Sequence, residues 1–211
     1  MSACVMSGLA HLFGILSFIL ILVWLLHFRE GIDYASVNPF RVFNVHPLMM
    51  FLSLIFLAGE AIMAFQTVPA QRHIKKFFHM ALHLIAIVLG IVGLCAVFKF
   101  HDMLHIPHLY SLHGWIGILT LCSYGLQWVF GLVTFLVPGA QDATRARVLP
   151  WHKIGGKVLF LMAICAAETG LMEKAGFLSL KAHQTETSLV TFTGLSILLF
   201  GAFVFVSIGI R

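Results

Sequence analysis

Charge is what this chain has least of. Only 10% of its 211 residues are Asp, Glu, Lys or Arg, against about 25% in an ordinary soluble domain. Hydrophobic letters make up 60%, which leaves too little polar surface to coat a soluble core. A soluble enzyme, a disordered chain and a nucleic-acid binder are excluded at this step. Cysteine is sparse as well: Cys4, Cys95, Cys122 and Cys165 lie scattered, with no C-x-x-C pair. That excludes a disulfide framework and a thiolate metal site, and the four are expected as small apolar core residues. No N-x-S/T sequon occurs, and no basic stretch precedes the first apolar run, so no cleavable signal is expected. Alternating polar and apolar letters are missing too, which sets aside a membrane β-barrel.

Long apolar runs are what the chain has instead. They cover residues 8–28, 46–66, 77–100, 112–137, 152–172 and 186–210, each near the roughly 20 residues that cross a hydrocarbon core. The pattern predicts an all-α membrane protein, a single domain of six transmembrane helices over residues 1–211. An even number of spans puts both termini on one side, with the loops after spans 2 and 4. That side carries Arg72, Lys75, Lys76, Arg145, Arg147, Lys153, Lys157 and Arg211 against Asp142. The other side carries Arg29, Arg41, Lys99, Lys174 and Lys181, balanced by Glu30, Asp33, Asp102, Glu173 and Glu186. The positive-inside rule then places both termini in the cytoplasm.

Twelve histidines in so apolar a chain need a reason, because polar side chains inside a bilayer are costly. His46 and His113 open spans 2 and 4, on one side of the membrane. His79 and His83 open span 3 and His152 opens span 5, on the other. Spans 2–5 thus offer a four-helix bundle with one His–His pair near each face. Two imidazoles facing across such a core suit the axial positions of a b-type haem. Pairs a turn or two inside each face would set two irons roughly 20 Å apart. A His-based metal transporter is an alternative, but such a site usually adds carboxylates; Glu60 and Glu168 are the only ones in the spans, and neither is one turn from these histidines. A dihaem membrane anchor of a larger quinone-linked complex is another.

Several strings resemble a known family, the ascorbate-dependent transmembrane cytochromes b-561, and its plant members most. They are FNVHP (43–47), GEAIMAF (59–65), KKFFH (75–79), YSLHGW (110–115) and LPWH (149–152). The likeness covers about residues 20–180. It implies a haem-binding core of about residues 46–172, with two haem b groups held by helices 2–5. It assigns His46 and His113 to the non-cytoplasmic haem and His79 and His152 to the cytoplasmic one, leaving His83 as a packed or hydrogen-bonded neighbour. The implied activity is that of an ascorbate-dependent oxidoreductase, a monodehydroascorbate or ferric reductase. Electrons would pass from cytosolic ascorbate through the haems to monodehydroascorbate or a ferric chelate. The family also implies a homodimer in an endomembrane (vacuolar or vesicular) or plasma membrane. One departure is Gly114, where the family usually has Ser, expected to alter the backbone beside the outer haem.

Ascorbate is a monoanion at neutral pH, so its site should present fixed positive charge. Arg72, Lys75 and Lys76 precede His79, and Arg145 and Arg147 precede His152. The resemblance singles out Lys76, Arg145 and Arg72, although the same residues also satisfy the positive-inside rule. On the other face His101 and His27 align with family positions near the acceptor site, and Tyr110, Lys99 and Phe100 are candidates for the same pocket. His105 and His108 are unfamiliar, and read either as solvated loop residues or as a metal landing surface. Trp115 and Trp151, next to a ligand or nearly so, read as packed aromatics or as interface anchors, with packing the expected one.

Overall fold

The computed structural model describes residues 3–210; Arg211, counted above with the terminal face, lies outside them. Six helices are long and apolar enough to cross a membrane: α1 Ala3–Phe28, α2 Pro39–Thr67, α3 Arg72–Leu104, α4 Leu112–Phe135, α5 Asp142–Phe177 and α6 Thr185–Gly209. No strand occurs among the described residues. The chain is an integral, multi-pass membrane protein.

Side-chain hydrogen bonds fix which ends lie together. Ser7, at the start of α1, meets Ser207, at the end of α6, at 2.7 Å, and the Ser207 hydroxyl donates to Gln66 near the end of α2. Lys76 and Arg145 donate to the carbonyls of Phe135 and Thr134 at the end of α4. These ends form the terminal face. On the opposite face Trp24 donates to Glu186 at the start of α6, and Lys99 donates to Tyr34 in the loop after α1.

Water-excluded helices gain nothing from burying apolar surface against one another, so small and hydroxyl residues hold them. Ser17 donates to Ser196, 2.9 Å away, midway along the α1–α6 contact. Trp24, Leu25, Met63, Ile197 and Phe200 fill the core where α1, α2 and α6 meet. The outward faces of α4 and α5 are largely exposed, as lipid-facing surfaces should be.

Helix starts follow local chemistry. Asn38 caps α2, its side chain accepting from Phe40 N, with Pro39 pre-set at the first turn. Ser111 caps α4 by accepting from Gly114 N at 3.2 Å. That bond uses a backbone group, and a Cβ on Gly114 would stand 3.4 Å from Leu109 Cα, an ordinary contact. The helix therefore has room for a Cβ at Gly114. Inside α2, residues Phe51–Leu57 form a π-helical stretch just after Pro47, the kind of irregularity that often sits near functional positions.

Three expectations are corrected. The helices outrun the apolar segments: α2 begins at Pro39 rather than His46, and α5 at Asp142 rather than His152. Apolarity marks only the stretch in lipid, whereas caps and polar turns carry a helix beyond it. His46, His79, His83 and His152 therefore lie about two or more turns inside their helices instead of opening them. The four cysteines are exposed on the bundle's outside, not in its core; lipid accepts a small apolar side chain as readily as protein does. Trp115 and Trp151 likewise point outward, at 60% and 73% exposure, where an amphipathic indole is at home near a membrane interface.

Candidate functional site

Helices α2 to α5 bring four imidazoles into two facing pairs. The rings of His46 and His113 lie 6.0 Å apart between centroids, and those of His79 and His152 lie 6.2 Å apart. Each ring is also held by a partner helix, and the pattern is reciprocal. His46 on α2 donates through Nδ1 to Gly93 O on α3 (3.0 Å), and His79 on α3 donates to Ala61 O on α2 (2.7 Å). His113 on α4 donates to Ala166 O on α5 (2.8 Å), while His152 on α5 has its Nδ1 3.2 Å from Gln127 Nε2 on α4. On each helix the imidazole and the group that serves the other pair are fourteen or fifteen residues apart. That spacing is about 21 Å of rise, so the two pairs sit near opposite faces.

Three of these four imidazoles are set as ligation of a haem iron requires. A carbonyl only accepts, so His46, His79 and His113 are fixed in the tautomer with Nδ1–H, leaving the Nε2 lone pair for a metal. Two imidazoles sharing one iron at about 2 Å per bond hold their ring centroids about 6 Å apart. Glycine clears room for two of the rings. A Cβ on Gly170 would stand 2.7 Å from His113 Cε1, and one on Gly131 would stand 3.0 Å from His152 Cε1. His152 differs in its second contact: the Gln127 amide also donates to the His152 carbonyl at 2.8 Å. That bond turns the amide nitrogen, not its oxygen, toward the ring, so the Nδ1–H tautomer is not fixed for His152 as it is for the other three. Among the described residues no three His, Cys, Asp or Glu side chains converge as a metal cluster.

His83 lies one turn deeper than His79 on α3, its ring edge-on to that of His79 at 4.4 Å. Its Nδ1 forms a close hydrogen bond with the Tyr124 hydroxyl. The His79 ring, not that of His83, is the one in ring contact with His152.

The basic residues of the terminal face fall into two groups. Lys76 and Arg145 both reach the end of α4, on the Phe135 and Thr134 carbonyls (3.3 and 3.2 Å), so α4 brings them together. Phe135 also touches the His152 ring at 5.1 Å, which puts the pair of cations beside an imidazole pair. Arg145 spends one further nitrogen on Asp142. Lys75 turns instead to Phe65 O on α2, and Arg72 is exposed on the first turn of α3.

On the opposite face His101, His108 and Tyr110 cluster. The His101 ring stacks on His108 at 5.4 Å and lies 6.2 Å from Tyr110. The Tyr110 hydroxyl donates to Glu173 on α5 at 3.4 Å. Partial burial, then the Glu173 charge and that hydrogen bond, raise the phenol above its usual value, so it stays a neutral donor. His108 is tied to Asp102 at 3.0 Å rather than free in a loop, and His105 closes α3 as a left-handed cap. Phe100, on the other side of His101, is buried against Phe43. Lys99 is used up on Tyr34, and His27 stands apart, its ring contact being with neighbouring Phe28.

Sequence reasoning missed the groups that hold the imidazoles. The carbonyls of Ala61, Gly93 and Ala166 leave no trace in residue type. Gln127 could have been suspected, as an amide in an apolar span, and so could Lys174 near the end of α5.

Comparison with known proteins adds a consistent set of likenesses. The sequence model of one family, eukaryotic cytochrome b561, matches residues 45–178. Transmembrane ascorbate ferrireductase 1 of Arabidopsis thaliana is 39% identical over 206 residues, covering 96% of this chain and 86% of that protein. Probable ascorbate-specific transmembrane electron transporter 2 of Oryza sativa subsp. japonica is 44% identical over 202 residues, covering 94% and 86%. Plasma membrane ascorbate-dependent reductase CYBRD1 of Xenopus tropicalis is 40% identical over 201 residues, covering 92% and 70%.

Proposed function

The chain belongs to the eukaryotic cytochrome b561 family, and on that footing we propose that it is an ascorbate-dependent transmembrane oxidoreductase. It takes electrons from ascorbate at the terminal face and delivers them at the opposite face to monodehydroascorbate or a ferric chelate. The observation that carries this reading is the two facing imidazole pairs, with Nδ1 engaged across the helix interface. His46 with His113 and His79 with His152 would each hold one b-type haem, which when bound supplies a one-electron redox centre.

The rest of the work falls to this chain's own residues. Lys76 and Arg145 draw in the ascorbate anion and hold it by charge-assisted hydrogen bonds, with Arg72 and Lys75 adding to the field. Gln127 and the three carbonyls keep the imidazoles from rotating. At the opposite face His101 and Tyr110 offer ring nitrogen and hydroxyl contacts to an acceptor, with His27 further out. The excess of cations on the terminal face supports a cytoplasmic location for both termini. The membrane is an endomembrane or the plasma membrane, and the protein works as a homodimer.

An absorption spectrum of the purified protein, before and after ascorbate, with haem measured per chain, tests the reading. Two haems per chain, reduced on adding ascorbate, are expected. Haem that ascorbate leaves oxidised would overturn the donor, and a colourless protein would overturn the whole reading.

A further inference from the structure

The half of the bundle holding His46 and His113 contains a cation that nothing above employs. Lys174, near the end of α5, places its Nζ 3.8 Å from the centroid of Phe43 and 5.8 and 5.9 Å from those of Phe40 and Phe100. Among the described residues the ammonium makes no hydrogen bond and no ion pair. Such a group has three N–H donors, and ring faces answer its charge without accepting them all. The nearby carboxylate is already taken. Glu186 pairs closely with the Arg29 guanidinium and accepts from Trp24 Nε1 at 2.7 Å. Arg29 Nε, in turn, is buried with no acceptor.

Two cations thus share one carboxylate, against aromatic walls where water screens poorly. Topology does not call for the surplus charge, since this is the face the positive-inside rule leaves poorer in cations. Location suggests its use: the Phe43 ring that faces the ammonium lies 6.1 Å from the His46 ring.

We propose that Lys174, assisted by Arg29, forms a binding site for a carboxylate beside the His46–His113 pair. The inference rests on the haem reading given above. A carboxylate there has two sources, a propionate of the haem itself or a carboxylate of an anionic acceptor such as a ferric chelate. The Phe40, Phe43 and Phe100 rings hold the ammonium in place, and the spare N–H groups of Lys174 and Arg29 receive the two oxygens.

The full-length protein, loaded with haem in lipid nanodiscs, is compared with K174M and K174R. The readouts are haem per chain, the two midpoint potentials from spectroelectrochemical titration, and KM for ferric citrate and for hexaammineruthenium(III). If the carboxylate is a propionate, K174M makes one potential more negative, because a lost cation disfavours the reduced centre. At a fixed electrode potential the oxidised-to-reduced ratio would rise about tenfold, or about 59 mV for one electron, with both KM values unchanged. If it belongs to the acceptor, KM for ferric citrate rises about tenfold while that for the cationic complex does not, whatever the lost charge does to the potential. In either case K174R restores the wild-type value. Unchanged potentials and KM values in K174M, or K174R failing as K174M does, would overturn the proposal. Should K174M not accumulate, K174Q is read in its place. A wild-type protein without haem would instead sink the underlying reading.

Discussion

At the scale of single residues, the two histidines of α3 make the sharpest contrast. His79 donates to Ala61 O and faces His152, whereas His83 is spent on Tyr124. His79→Ala should therefore lose one of two haems while His83→Ala keeps both, as read by haem content per chain. The reverse result would exchange their roles. Gly170 offers a second test, because a methyl there would meet His113 Cε1 at 2.7 Å. Gly170→Ala should cost about 1–3 kcal/mol by overpacking and lower the thermal midpoint of haem release for one haem only. Equal loss of both would mean that the clash is relieved elsewhere. The imidazoles were legible in the sequence because histidine in lipid is expensive. Their holders were not, since a backbone carbonyl has no letter of its own and only the packing of a neighbouring helix brings it within reach.

Elements tell a similar story with a different cause. All six spans could be located from apolar runs, but α2 and α5 begin well before their runs do. The early turn of α5 matters for chemistry, since it carries Arg145 back onto the end of α4 beside Lys76. In the sequence these two are sixty-nine positions apart, and charge alone could not distinguish them from Arg147 or Lys153. If they hold ascorbate together, Arg145→Gln should raise KM for ascorbate about tenfold, a loss of about 1.4 kcal/mol. Arg147, exposed and without a hydrogen bond or ion pair among the described residues, should leave KM nearly unchanged when changed to Gln. Equal effects from both would reduce the pair to a diffuse field.

For the whole molecule, orientation is the property most open to a direct check. In sealed vesicles from cells making a variant without Cys4, a Gln141→Cys label site should react with an impermeant maleimide only from the cytoplasmic side. Val37→Cys, on the opposite face and 95% exposed, should react only from the other side. Interchanged labelling would invert the assignment of donor and acceptor faces. The reciprocal arrangement of the imidazoles also limits how such a molecule can change its length. Each of α2 to α5 must present two points, fourteen or fifteen residues apart, to the same neighbour. One inserted residue between them would swing the second point by about 100° around the axis, whereas seven would swing it by only about 20°. A bundle of this kind can thus grow to suit a thicker bilayer by whole groups of turns, the shortest being seven residues or about 10 Å, and only if all four helices take the step together.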